Sequence, residues 1–263
     1  MIAIFFALKN EITSFKRSLN TLEDFKIENT QFYKVTVDET PVLLVQTGMG
    51  IKNSKSAVDI TVENFEIDTI ISTGFTGGLE DGLEVGDLLY ANSVLYANDV
   101  KESKEHKLFV DKKVQCCNDY EAVIKTVCDD LQLMVHFGNA ITVNSIIYNS
   151  SHKKWLGINS AAKVVDMETF AIAETAAAKR IPFISVRAVS DDVNSDLNLE
   201  KFGDIMDGGE VNIKKTGLAV AKNLSSIPDL LKLRKQAIVA SSSISKFLSS
   251  FVRKVLESNL SSS

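Results

Sequence analysis

Histidine, proline, cysteine and unbroken apolar runs are scarce in this 263-residue chain, and each shortage removes a class of function. The three histidines, His106, His136 and His152, are scattered without helical i, i+4 pairing, so no zinc site is expected. The three cysteines, Cys116, Cys117 and Cys128, are an odd number, and two of them are adjacent. That pattern fits a reduced, cytoplasmic setting better than a disulfide framework. No stretch approaches the roughly 18 consecutive apolar residues of a membrane span. The opening MIAIFFALKNE lacks a basic leader and reads as a first strand. A formal net charge of −5 supplies no basic surface for nucleic acid.

What is present is ample core material, with 45% hydrophobic residues against 24% charged. Short apolar runs recur between amphipathic segments of helix length. IAIFFAL (2–8) is nearly continuous in its apolarity, as a strand covered on both faces should be. NEITSFKRSLN reads as a helix, with Ile12, Phe15 and Leu19 on one face. FYKVTV and PVLLVQTG form a hairpin, and 52–65 a helix. IDTIISTG (67–74) is a strand leading into a glycine loop at 74–78, and LLYANSVLY (88–96) is another strand. A helix near 118–132 and strands at 134–143 and 162–167 follow. The serine before HKKW is placed to cap a further helix. METFAIAETAAAKR is an alanine-rich helix ending before Ile181-Pro182, and IPFISVRAVS (181–190) a buried strand. Residues 208–225 and 228–257 read as helices. No proline or glycine cluster marks a linker, so the pattern predicts one domain, a mixed sheet with helices on both faces. Its body spans 1–226, and 227–263 is a helical extension packed on it, frayed beyond Glu257. That last helix carries Ile244, Phe247, Leu248, Phe251, Val252 and Val255 on one stripe, suited to packing, a subunit contact or membrane-surface docking.

Ligands of open α/β sheets gather beyond the carboxyl ends of strands. Four polar features fall there: Glu11, the GFTGG loop, Asp166-Met167-Glu168, and Ser190-Asp191. Each alone has an ordinary explanation as a helix start, a turn or a cap. The glycine loop is not a phosphate loop, because no Gly-Lys-Ser/Thr follows. Four such features at neighbouring strand ends point to a site.

VVDMETFAIAETAAAKRIPFISVRAVSD resembles the signature region of 5′-methylthioadenosine/S-adenosylhomocysteine nucleosidases, within the nucleoside phosphorylase superfamily. The resemblance extends to IAIFFALKNEI, Gly48-Met49-Gly50 and ISTGFTGGLEDGLEVGDLLYANSV, and covers most of 1–205. It implies a three-layer α/β/α domain with a mixed twisted central sheet, and hydrolysis of the N-glycosidic bond of an adenine nucleoside. 5′-Methylthioadenosine, S-adenosylhomocysteine and 5′-deoxyadenosine are the expected substrates, with no cofactor or metal, in a homodimer. By the same resemblance Glu11 activates the attacking water and Glu168 binds ribose hydroxyls, with Met167 packed on the sugar. Asp191 protonates adenine N7, oriented by Ser190, and Arg187 supports the centre. Met49, Phe75, Thr76, Gly77, Ile146 and Phe202 complete the expected ligand-binding set. The acid role requires a protonated Asp191, for which burial or a neighbouring carboxylate is the expected device. The helix dipole at 168 should favour an ionised Glu168.

A phosphorylase of this superfamily would hold phosphate with arginines, one of them just before the glycine loop. Here that approach reads Ile70-Ile71-Ser72-Thr73, which favours hydrolysis. Phe75 stands where many of the nucleosidases have serine. The longer, more basic tail resembles that of relatives which release adenine from adenosylhopane. The 5′-substituent therefore stays open, with a phosphorylase or a non-catalytic storage homologue as the other readings.

Overall fold

A computed structural model describes residues 1–100, 108–196, 206–207, 210–211 and 227–260. The first strand, β1 (Ile2–Phe6), is buried along its whole length. Ile2, Ile4 and Phe6 enter one core while Ala3 and Phe5 enter another. This two-sided burial is why the run is apolar without alternation. β4 (Thr40–Gln46) does the same, dividing Val42 and Leu44 from Leu43 and Val45.

β1 lies parallel between β4 and β5 (Thr69–Gly78). β2 (Asn20–Ile27) and β3 (Thr30–Val37) extend the β4 side antiparallel. On the other side β5 runs parallel to β10 (Phe183–Asp191), which pairs antiparallel with β6 (Leu88–Ala97). β6 pairs parallel with β8 (Val135–Val143), and β8 with β9 (Ala162–Asp166). β9 returns to β5 through Gly77–Val165 and Gly78–Val164. This half of the sheet therefore closes on itself as a ring, β5–β10–β6–β8–β9. β7 (Lys112–Gln115) adds an edge to β6.

Helices cover both faces. α1 (Lys9–Lys16), α3 (Glu121–Leu131) and α6 (Ile227–Leu260) pack into one core. α2 (Ile51–Asn64) and α5 (Thr169–Lys179) pack into the other. α4 (Ser150–Ser160) covers β8 and β9 through Leu156. The alanines of α5 work as the sequence implied, with Ala173 and Ala176 buried on the sheet. The apolar stripe of α6 is core: Ile244, Phe247, Leu248, Phe251, Val252 and Val255 are all buried, which leaves that face nothing to offer a membrane surface. Each such side chain contributes roughly 1.5–3 kcal/mol by burial.

Several elements depart from the sequence pattern. α1 stops at Lys16; residues 17–19, expected to prolong it, form a turn, and Asn20 opens the exposed strand β2. The glycine segment 74–78 is the end of β5 rather than a loop, because β10 and β9 pair along it. Asn149, not a serine, caps α4, its side chain accepting from Ser151 N and His152 N. Of the helix expected over 208–225, Glu210–Val211 instead pairs with Met206–Asp207, and the remainder lies outside the described residues. α6 continues to Leu260, past the expected fraying point. The described cysteines are all free. No described helix is long and apolar enough to cross a membrane.

Candidate active site

The chain leaves β1 and turns into α1, and Glu11 on the first turn of α1 folds back over the strand end. Its Oε2 accepts from Leu8 N at 2.8 Å and its Oε1 from Phe75 N at 2.7 Å. The contact depends on Gly74, whose φ of +138° and lack of a side chain let β5 pass against the carboxylate. Burial pushes the Glu11 carboxyl above its ordinary range, against the pull of these N–H groups and of Arg187.

At the end of β9 the two acidic residues divide their tasks. Asp166 serves the start of α5: Oδ1 accepts from Glu168 N and Thr169 N, each at 3.1 Å, and from Thr142 Oγ1 at 2.7 Å. Thr142 Oγ1 in turn accepts from Phe170 N at 3.0 Å. The free N–H groups of the helix start are thus satisfied by Asp166 and Thr142. Both carboxyls line the cleft, and Glu168 is free of the capping task, its Oε1 accepting from Gly50 N at the head of α2, 2.8 Å away. Its carboxyl is pushed up to about 7, first by burial, with Arg187 opposing and the Asp166 charge adding to the rise. Burial therefore outweighs the helix dipole that the sequence reading invoked to keep Glu168 ionised.

Arg187 lies behind this pair, 1% exposed. Its Nε donates to Thr169 Oγ1 at 2.8 Å and lies 3.2 Å from Asp166 Oδ2. Nη1 donates to Phe75 O and Nη2 to Ser72 Oγ, each at 3.2 Å, and Nη1 is 3.9 Å from Glu168 Oε2. Arg187, expected to support the centre, underlies the carboxylates and is not among the residues that line the cleft.

Asp191 closes β10 on the opposite side. Ser190 Oγ lies 2.8 Å from its Oδ1 and 3.2 Å from Thr76 O. Its Oδ2 is paired with the ammonium of Lys153, a residue of α4 that the sequence reading did not select. The charged neighbour of Asp191 is thus a cation, where a carboxylate was one of the expected devices. Lys153 had no signal of its own: in SHKKW two adjacent lysines read as a solvated helix face.

Glu11, Glu168 and Asp191 line one cleft together with Met49, Phe75, Thr76, Gly77, Ile146, Met167 and Ser190. Ser145 and Ile147 line it as well, and Ile146 is 36% exposed. Phe202 lies outside the described residues. Among the described residues no lysine or arginine lines the cleft, and none of their His, Cys, Asp and Glu side chains cluster as a metal site would require. The arrangement can hold a neutral, partly apolar ligand against the carboxyl groups of Asp191, Glu11 and Glu168.

A family model described as the phosphorylase superfamily matches residues 1–222, and the chain belongs to that superfamily. Within it the sequence is similar to the 5′-methylthioadenosine/S-adenosylhomocysteine nucleosidase of Staphylococcus epidermidis. The two are 32% identical over 211 residues, which cover 78% of this chain and 92% of that one. The fold is similar to that of S-adenosylhomocysteine nucleosidase from Streptococcus pyogenes in complex with 5-methylthiotubericidin. That match has a TM-score of 0.74 at 22% identity and covers 96% of each chain. Futalosine hydrolase of Helicobacter pylori also matches, with a TM-score of 0.73 at 18% identity over 96% of this chain and 97% of that one. At these two identities the likeness is one of fold.

Proposed function

We propose that the protein is an N-ribohydrolase that releases adenine from a 5′-substituted adenosine. The observation that carries the reading is one cleft holding Glu11, Glu168 and Asp191 with no described cation on its lining to bind phosphate. The sequence likeness to a named nucleosidase supports it. Breaking the C1′–N9 bond sends its electron pair to the purine and leaves positive charge on the ribose. Asp191 gives a proton to N7, an assistance worth ~10²–10⁴-fold. Glu168 accepts from ribose hydroxyls, Met167 packs on the sugar, and Glu11 takes the proton of the water that attacks C1′. A carboxylate whose proton affinity is raised by burial suits that base role. No covalent nucleophile is needed.

The test is adenine release from 5′-methylthioadenosine, S-adenosylhomocysteine and 5′-deoxyadenosine in phosphate-free buffer. Adenine and a free reducing sugar are expected. A strict phosphate requirement with a ribose-1-phosphate product would replace the reading with a phosphorylase. No adenine from any of the three, nor from adenosylhopane, would end it. A homodimer is part of the proposal on the strength of the resemblance, and sedimentation of the purified protein tests it.

A further inference from the structure

Lys153 is the one fully buried lysine among the described residues, 0% exposed, and it does not line the cleft. Its ammonium has three N–H groups and three acceptors: Asp191 Oδ2, Asp192 O at 3.0 Å and Ser195 O at 3.1 Å. A neutral amine has only two protons to give, so this set of partners calls for the charged form. Other charges nearby are already engaged. Asp192 accepts from Asn194 N and Ser195 Oγ, and Asp196 from Ser150 N at 2.7 Å. α4 is itself held hard against the sheet, since a Cβ at Gly157 would stand 2.5 Å from Leu79 O. The lysine is thus placed by a rigid helix directly behind one oxygen of the carboxyl group that faces the cleft.

Resting on the hydrolase reading, we infer that Lys153 is a positioning residue for protonation of the leaving base, acting through Asp191. Its ammonium occupies Oδ2, so the transferable proton is confined to Oδ1. Ser190 has a single hydroxyl proton and two acceptors within reach, Asp191 Oδ1 and Thr76 O. Turned to Thr76 O, it leaves Oδ1 free to carry the proton toward N7. As C1′–N9 breaks and its electrons pass to the purine, that proton moves to N7. Asp191 is left a carboxylate, and the adjoining ammonium stabilises the charge at the moment it forms. The bland alternative is a staple, in which Lys153 merely ties the 191–196 turn to α4 through the two carbonyls.

The two roles separate by leaving group. Adenine departs with a proton, whereas the phenolate of p-nitrophenyl β-D-ribofuranoside departs without one. Both activities are measured on the same preparations of the wild-type protein, Lys153→Met and Lys153→Gln. The glutamine keeps amide donors for the carbonyls but not the charge. The expected result is a loss of about 10²-fold in kcat for 5′-methylthioadenosine in both variants, with KM changed less than about threefold. Phenolate release should stay within about threefold. The ratio of the two activities does not depend on how much of a preparation is folded. A ratio unchanged in both variants, or one restored by glutamine alone, overturns the role and leaves the staple. Absence of adenine from the wild-type protein would instead sink the hydrolase reading, and this inference with it.

Discussion

The Glu11 carboxylate lies so close to Gly74 that a Cβ at residue 74 would stand 2.7 Å from Oε1. A residue on α1 and a residue within β5 thereby fix each other. Gly74→Ala must push Glu11 aside or move the strand, and it also places a side chain at φ +138°. The expected outcome is a loss of roughly 1–3 kcal/mol in stability together with at least tenfold slower adenine release. A variant as active as the wild type in a steady-state assay would show that Glu11 need not sit where it is.

Asp191→Asn preserves shape and removes the transferable proton, so adenine release should fall by ~10²–10⁴-fold. In the deprotonated state left after proton transfer Asp191 is also the counter-charge of the buried Lys153 ammonium, and removing it costs roughly 3–5 kcal/mol. Chemical denaturation of Asp191→Asn beside the double variant Asp191→Asn/Lys153→Met checks this. The double variant should regain much of the stability and none of the activity. Strictly additive losses would mean that the two side chains do not act as a pair.

Glu168 makes stability depend on pH in a defined direction. Burial pushes its carboxyl up to about 7 in the folded protein, from 4.5 for the unperturbed group. A raised value means that the folded state holds the proton more tightly. The contribution is therefore complete below about pH 4.5 and is lost as pH rises through about 7. The size is on the order of 3 kcal/mol at one pKa unit per ~1.4 kcal/mol. Glu168→Gln keeps an acceptor for Gly50 N without the titration. Its stability relative to wild type should therefore improve between pH 5 and 8 in parallel urea melts. A constant difference across that range would refute the assignment.

Phe247, fully buried on α6, stacks on Phe251 with ring centroids 5.0 Å apart. We propose that α6 belongs to the same folding unit as the sheet, so Phe247→Ala should cost about 3–5 kcal/mol in a single cooperative transition. A separate early transition, or a loss below about 1 kcal/mol, would make the helix an appendage.

The elements legible in the sequence are those whose surroundings repeat along the chain. β1 and β4 are covered on both faces and so read as unbroken apolar runs. α5 announces itself through its alanines and the proline that follows. β2 carries NTLEDFKI, is mostly exposed, and is a strand only because β3 offers it a partner. No periodicity could have separated it from a helix tail. The glycines at 74–78 look like a loop by composition and extend because two strands pair along them.

The same division holds for the site. By itself the sequence determined which acidic residues stand at strand ends, and the family resemblance implied that two glutamates and an aspartate among them carry the chemistry. Only the tertiary structure decided what each one faces. Glu168 reaches Gly50, 118 residues away, and Asp191 reaches Lys153, 38 residues away. It also distinguished two carboxyls that line the same cleft: Asp166, whose oxygens serve the start of α5 and pair with Arg187, and Glu168, which reaches Gly50 N. The physical reason is that burial and charge pairing act through space. The protonation of a carboxylate is set by the dielectric and the charges within a few ångströms of it, and spacing along the chain records neither.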